Sequence, residues 1–358
     1  MKVLHVDPEL TWRGGQQQAV YLYEGMLKQG LDCGFVCRPG SCLRDHFQRE
    51  SLAHHTINFR GEADILSGLK LALCAKRGGY GILYLHSAHA LGWGWLARLF
   101  CPTLKLIAAR RVDFPIRKNL FSRIKYHSAD RVVAISGNIR RVLISDGIDP
   151  GKIRVIHSGI DPHKFRNVKP DKDLRKRWGI PGDAILVGTI AALAGHKDYP
   201  NLLRAAAMAV KSSSGLYFMA VGGGKLMAGL KALSHELGLD GRFVFTGQQK
   251  DVGQFLKSFD IFVLASKKEG LGTSVLDAMS VGLPVIGTTA GGIGEMIGDG
   301  ASGLLVPPSD PKALADSIVK LAGDAGLRAN LGQAALAKVR DFDRRIMVQK
   351  NLEMLGEF

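Results

Sequence analysis

Short apolar runs alternate with helix-length segments along this chain, and the alternation restarts once, near the middle. Lys2–Asp7, Cys33–Pro39, Gly81–Ser87, Leu104–Arg111, Arg131–Ser136 and Ile153–Gly159 are the strand-like runs of the first half. Ala184–Ile190, Leu216–Gly224, Arg242–Gly247, Ile261–Ser266 and Pro284–Thr288 are those of the second. Apolar strands without in/out alternation are buried on both faces, as in parallel sheets. Helix-length segments between them make βαβ units. Two rounds of the pattern predict an α/β protein of two doubly wound, Rossmann-like domains. A length of 358 residues is too long for one ordinary core and suits two. The joint is placed in Asp161–Ile180, which is polar, charge-rich and carries Pro162 and Pro170. This gives domains of residues 1–165 and 166–358. From about Pro311 the chain reads as helical, and its last helix is free to pack back on the first domain.

Charge is unevenly spread. The formal net charge is +16, and residues 1–165 hold 24 Lys+Arg against 13 Asp+Glu, a net of +11. Such a surface favours anionic partners: nucleic acid, anionic lipid or an acidic substrate. No nucleic-acid motif accompanies the charge, so nucleic acid is not an expected partner. Cys33, Cys37, Cys42, Cys74 and Cys101 lack zinc-site spacing and read as buried or partly buried free thiols. The opening MKVLHVDPEL reads as a strand start without a signal-peptide apolar core. The most apolar window, Ala90–Ala109, is broken by Arg98 and Lys105, which disfavours a spanning helix. The expectation is a cytoplasmic protein. Asp113–Arg131 offers a peripheral contact with the inner face of the membrane: Leu120, Phe121, Ile124 and Tyr126 lie among Arg117, Lys118, Arg123 and Lys125. Trp93, Trp95, Leu96, Leu99 and Phe100 form a second apolar cluster, read as core.

Glu269–Pro284 (EGLGTSVLDAMSVGLP) carries the most chemistry. It follows the buried strand Ile261–Ser266. Strand, glycine loop and helix place backbone N–H groups where an anion can sit. Glu269 precedes that loop and Asp277 follows it. An anion site flanked by two acids fits a phosphate-bearing ligand with hydroxyl groups at both ends, which describes a nucleotide sugar.

Taken in order, the motifs resemble the retaining group 1 (family 4) glycosyltransferases of the GT-B fold. They are Gly14-Gly15 after the first strand, HSGID (His157–Asp161), Lys197, VGGG (Val221–Gly224), the Glu269/Asp277 element, GLPVIGTTAGGIGEMI and GLLVPPSD. The resemblance implies two Rossmann-like domains facing an interdomain cleft, the first binding the acceptor and the second the nucleotide sugar (UDP-, GDP- or ADP-linked). It implies that Glu269 holds the transferred sugar and that Gly270, Leu271, Gly272 and Thr273 meet the diphosphate or sugar. Asp277, where the family more often has Glu, would bind the ribose diol. Lys197 would neutralise the leaving diphosphate. Gly14, Gly15, Gly222 and Gly247 complete the expected donor loops, although glycine pairs also serve as plain turns. Retention is ascribed in the family to front-face attack, so neither a metal nor any other cofactor is expected.

Two departures stand out. Gly188 is followed by Thr189 where the family carries an arginine, leaving Lys197, Lys267, Lys268 and Arg13 as candidate phosphate cations. LIAARRVDFP carries Arg110, Arg111 and Asp113 where the family often has a histidine near the sugar. Arg111 and Arg110 are therefore candidates to bind an anionic group. His86 and His89 are candidate site residues or ordinary capping and packing histidines. Trp12 and Arg13 are open to a sugar face and an anion, or to surface packing. The function expected is transfer of a hexose-like sugar to a hydroxyl of a glycan or glycolipid, in lipopolysaccharide or surface polysaccharide synthesis. A GT-B nucleotide-sugar 2-epimerase and a basic nucleic-acid-binding protein are the alternatives.

Overall fold

A computed structural model describes residues 1–117 and 119–358. Lys118, named above in the basic run, lies outside the described residues. The chain divides into two compact units, Met1–Gly159 with Arg344–Phe358, and Ile160–Asp343. The change of unit falls a few residues before the 165/166 division drawn from composition, and the last helix belongs to the first unit.

The first unit is built on seven parallel strands: β1 (Lys2–Val6), β2 (Asp32–Cys37), β3 (His55–Thr56), β4 (Ile82–Leu85), β5 (Lys105–Arg110), β6 (Arg131–Ala134) and β7 (Ile153–Val155). Their order is β3-β2-β1-β4-β5-β6-β7. The helices between them are α1 (Gly14–Lys28), α2 (Cys42–Arg49), α3 (Ile65–Gly78), α4 (Ala88–Phe100), α5 (Leu120–Ser128) and α6 (Gly137–Ser145). The sheet starts at its centre: β1 pairs with β2 on one side and with β4 on the other. β3 has only two residues, both exposed, and so carries no apolar signal.

The second unit holds α7 (Leu174–Arg177), β8 (Ile185–Ile190), α8 (Tyr199–Ser212), β9 (Leu216–Val221), α9 (Met227–Glu236), β10 (Phe243–Gly247) and α10 (Val252–Ser258). It continues with β11 (Ile261–Leu264), α11 (Thr273–Ser280), β12 (Val285–Thr288), α12 (Ile293–Met296), β13 (Leu304–Val306), α13 (Pro311–Gly323) and α14 (Ala325–Lys338). The sheet order is β10-β9-β8-β11-β12-β13, again parallel and again wound outward both ways from its first strand. α15 (Arg344–Leu355) then returns to the first unit, packing on α1. It does so because Met347, Val348, Met354 and Leu355 join the core of Val3, Phe35, Ile82 and Ile107. Tyr84 of β4 also donates to Asn351 Oδ1 at 2.6 Å.

Several surface expectations change. Lys125 is buried, ion-paired with Glu62 and donating to the Ala88 carbonyl at 3.0 Å, and Tyr126 is buried too. The outward stripe of α5 is Leu120, Arg123 and Ile124, so the basic amphipathic face is narrower than the sequence implied. Lys125 turns inward because a cation held by a carboxylate and a carbonyl tolerates burial. Trp93 and Leu96 are core, while Leu99 and Phe100 are exposed. All five cysteines are free, and Cys42 is exposed rather than buried. Among the described residues no helix is long and apolar enough to cross a membrane.

Candidate active-site residues in the two units

In an open parallel sheet, ligands bind beyond the carboxyl ends of the strands, at the point where the winding reverses. Each unit has one such point, between β1 and β4 in the first and between β8 and β11 in the second.

In the second unit, Lys197 closes a short 3₁₀ turn after β8, and Glu269 lies in the loop after β11. The two side chains form an ion pair, and Ser266 Oγ donates to Glu269 Oε2 at 3.3 Å. The backbone around the pair is braced. Lys267 N–H donates to the His196 carbonyl at 2.9 Å, and Gly292 N–H donates to the Glu269 carbonyl at 3.2 Å. Thr288 Oγ1 donates to the Ser266 carbonyl at 2.6 Å. A Cβ on Gly291 would lie 1.7 Å from the Glu269 carbonyl oxygen, and its φ is +60°. Only glycine permits that approach. Asp198, next to Lys197, is also left-handed at φ 50°, and its carboxylate accepts from Ser309 Oγ at 2.6 Å.

Leu271 is buried, and Gly272 is left-handed at the start of α11 with φ +91°. No side chain caps α11 and no acid occupies its first turn, so its first N–H groups lack a side-chain acceptor and carry the positive end of the helix dipole. Thr273 opens the helix. Asp277, one turn on, is half-buried. Burial pushes its carboxyl up to about 6, opposed by the charge of Lys164. Gly222 N–H donates to the Gly247 carbonyl at 2.9 Å. A Cβ on Gly222 would meet the Ala191 carbonyl oxygen at 2.0 Å, so backbone packing between the β8 and β9 loops explains this glycine. Gly247 takes a left-handed turn at φ +73°.

In the first unit the same edge carries a buried cluster. His5 lies in β1, His86 follows β4 and Arg111 follows β5. His5 Nδ1 and His86 Nε2 are 3.0 Å apart, and Arg111 donates to His86 Nδ1 at 3.0 Å. The two imidazoles stack on each other and on Phe35 and Tyr84. Burial, then the nearby Arg111 charge, pulls the His5 ring down to about 3 and holds His86 well below the usual histidine range. Asp7, fully buried just beyond β1, accepts from Gln16 Nε2 at 3.0 and 3.3 Å and from Glu9 N–H at 3.0 Å. Burial raises its carboxyl to about 6. Gly14 and Gly15 open α1, where no side chain caps the helix and no acid lies in the first turn.

The structure thus gathers His86 and Arg111 but not their sequence neighbours. His89 is exposed and lies 3.9 Å from Glu9. Arg110 points away, donating to Tyr126 Oη at 2.9 Å and to the Phe114 carbonyl. Asp113 is half-buried, Lys267, Lys268 and Arg13 are exposed, and the exposed Trp12 ring packs on His46 at 5.1 Å. His5, Asp7 and Gln16 were missed in the sequence reading. Their signal was a histidine and an aspartate inside the apolar run Lys2–Asp7. Among the described residues, no group of three His, Cys, Asp or Glu side chains is placed to hold a metal ion.

Comparison with known proteins adds the family. Residues 12–164 match Glycosyltransferase Family 4, and residues 170–338 match Glycosyl transferases group 1. The chain is 27% identical over 348 residues to the lipopolysaccharide core biosynthesis glycosyltransferase LpsE of Rhizobium meliloti, covering 96% of each. It is 28% identical to the N-acetyl-alpha-D-glucosaminyl L-malate synthase of Bacillus anthracis, covering 77% of this chain and 74% of that one. In structure it is similar to HepE of Anabaena, solved in complex with UDP and glucose, with a TM-score of 0.88, 20% identity and full coverage of both chains. With both halves matched and two doubly wound units observed, this chain belongs to the group 1, family 4 glycosyltransferases of the GT-B fold.

Proposed function

We propose that the enzyme is a retaining, metal-independent glycosyltransferase that moves a hexose-like sugar from a uridine nucleotide sugar to a hydroxyl of a glycan or glycolipid. The observation that carries this reading is the Lys197–Glu269 pair beside the uncapped start of α11, at the winding reversal of the second unit. Lys197 and the N–H groups of Gly270–Thr273 stabilise charge that grows on the diphosphate as the sugar–phosphate bond breaks. Glu269 accepts hydrogen bonds from the sugar hydroxyls and holds the donor in its reactive pose. Asp277 takes the ribose hydroxyls. The acceptor oxygen bonds to the anomeric carbon on the face the phosphate leaves, and the acceptor proton passes to the leaving phosphate oxygen. The protein therefore needs no dedicated base, and Lys197 with the backbone N–H dipoles stabilises the leaving diphosphate in place of a metal ion. HepE's UDP and glucose complex supports the uridine donor.

The acceptor is the less specified partner. The LpsE similarity and the basic first half favour an anionic, membrane-borne glycan such as lipopolysaccharide core. Exposed Leu120, Ile124, Phe114 and Arg123 offer a peripheral contact with an anionic surface on the cytoplasmic side. The testing experiment is a thermal-shift screen of UDP-, GDP-, ADP- and CMP-sugars on wild type and Asp277→Ala. A ligand that binds only the folded chain raises its melting temperature. UDP-sugars should stabilise the wild type and act far less on the variant. No stabilisation of the wild type by any donor sinks the reading; an equal response of both proteins removes Asp277 from the ribose. Release of epimerised sugar without acceptor would reassign the enzyme as an epimerase.

A further inference from the structure

The cluster in the first unit has a direction. A guanidinium only donates, so the bond from Arg111 to His86 Nδ1 requires that nitrogen to be bare. A neutral His86 then carries its hydrogen on Nε2 and donates to His5 Nδ1, 3.0 Å away. His5 in turn keeps its hydrogen on Nε2, a buried nitrogen with no partner. Both hydrogen bonds run inward from the guanidinium, and protonating either ring breaks the run.

The choice of partner matters. Asp7 is close enough to bias the Arg111 charge, yet its oxygens are engaged by Gln16 and Glu9 N–H. Among the described residues no carboxylate lies within ion-pair distance of Arg111. A carboxylate would orient the guanidinium and cancel its charge. An imidazole orients it and leaves the charge available. Arg111 Nε is buried without a partner, and a Cβ built on Gly15 would lie 3.5 Å from Arg111 Cδ, which places the start of α1 beside this side chain. Asp7 offsets part of the Arg111 charge from a distance, and a half-buried guanidinium that no carboxylate touches is open to an anionic ligand that does.

We propose that Arg111 is the anion receptor of the first unit, taking a phosphate group, and that His86 and His5 are positioning residues that aim the guanidinium without neutralising it. The inference rests on the glycosyltransferase reading only for the phosphate's source, which is the donor's diphosphate or a phosphate on the acceptor.

The test compares Arg111→Gln, His86→Asn and His86→Asp in the whole chain by calorimetric titration. Asn and Asp both place an acceptor near the Nδ1 position and differ in charge. One arm titrates UDP; the other titrates inorganic pyrophosphate into UDP-saturated protein. His86→Asn should stay within about threefold of wild type, while His86→Asp and Arg111→Gln weaken one arm by roughly ten- to a hundredfold, the worth of one charge-assisted contact. Loss in the UDP arm assigns the donor's diphosphate, and loss only in the pyrophosphate arm assigns a separate phosphate. Wild-type affinity of His86→Asp in both arms overturns the proposal. Equal loss in His86→Asn and His86→Asp overturns it as well, since packing alone would then be at stake. A wild type that binds neither probe also ends it. Should His86→Asp not fold, ¹⁵N spectra of the wild-type histidines decide: Nε2–H on both rings supports the proposal, Nδ1–H on either overturns it. If UDP binds and His86→Asp is silent, the inference fails and the donor reading stands. If UDP does not bind, pyrophosphate is titrated into the free protein, and binding there that depends on Arg111 means the donor reading fails and the inference stands.

Discussion

The two units repeat one topology and furnish it in opposite ways. Each places its charged groups at the carboxyl edge beside its first strand. In the second unit the cation and the acid answer each other, Lys197 against Glu269. In the first unit the cation, Arg111, is oriented by a neutral histidine, and the nearby acid, Asp7, is engaged elsewhere. Winding decides where a ligand can sit. Whether the edge is self-compensated or carries a free positive charge depends on a few side chains supplied by loops.

Removing one acid should make the second unit resemble the first. Glu269→Gln leaves Lys197 unpaired, as Arg111 is. The turnover number should fall by roughly a hundred- to a thousandfold, the usual cost of losing one transition-state contact, while UDP binds as tightly as before or more tightly. Steady-state transfer assays beside UDP titrations check this. Weakened UDP binding with intact turnover would break the comparison, because the pair would then serve the nucleotide rather than the sugar.

A second change sharpens it through the backbone alone. Gly291→Ala forces a Cβ to within 1.7 Å of the Glu269 carbonyl oxygen, at a φ of +60°. The loop must move, taking Glu269 with it. Displacing a positioning group by about 1 Å costs on the order of a hundredfold in rate, and the strain should lower stability by about 1–3 kcal/mol. Melting temperature and turnover measured together test this; an unchanged pair of values would mean that the loop is slack.

The contrast also explains what the sequence could tell. The candidate residues of the second unit are nearly contiguous: Glu269, the glycine loop and Asp277 fall within one strand–loop–helix step, so spacing alone pointed to them. The first cluster is assembled from residues 5, 7, 86 and 111, which lie in or follow three strands that only the sheet order brings together, and from residue 16 of α1. Arg110 and Arg111 are indistinguishable in sequence. Strand alternation separates them: Arg110 ends β5 and is spent on Tyr126, while Arg111 turns to His86. Lys125 looked like a surface cation because nothing local to α5 reveals Glu62, which arrives from just before α3.

The first unit can be probed through pH. Asp7 has its carboxyl raised to about 6 by burial. Raised in the folded state, it contributes stability present below the unfolded value near 4 and lost as pH climbs through about 6, because the folded chain binds the extra proton. The shift corresponds to about 3 kcal/mol at most. Denaturant melts of wild type between pH 4 and 7 should therefore carry a downward contribution that Asp7→Asn lacks. Equal slopes in the two proteins would mean that Asp7 is solvated, and with it the edge that Arg111 occupies.

The smallest expected effect concerns how firmly the second unit holds Lys197. Asp198 and Ser309 are both left-handed, at φ 50° and 58°, and they are hydrogen-bonded to each other at 2.6 Å. Aspartate tolerates this conformation better than most residues. The bond fixes the turn that presents Lys197 and ties it to the loop before α13. Ser309→Ala removes the donor and leaves the Asp198 carboxylate without it, which should cost about 1 kcal/mol. Ser309→Gly relaxes the backbone at position 309 as well and should recover part of that loss. Turnover should drop only a few-fold in either, since Glu269 still pairs with Lys197 from the opposite loop. A large loss of turnover at unchanged stability would show that the ion pair alone does not place the ammonium, and that the second unit's cation depends on a neutral hydroxyl much as the first unit's depends on a neutral imidazole.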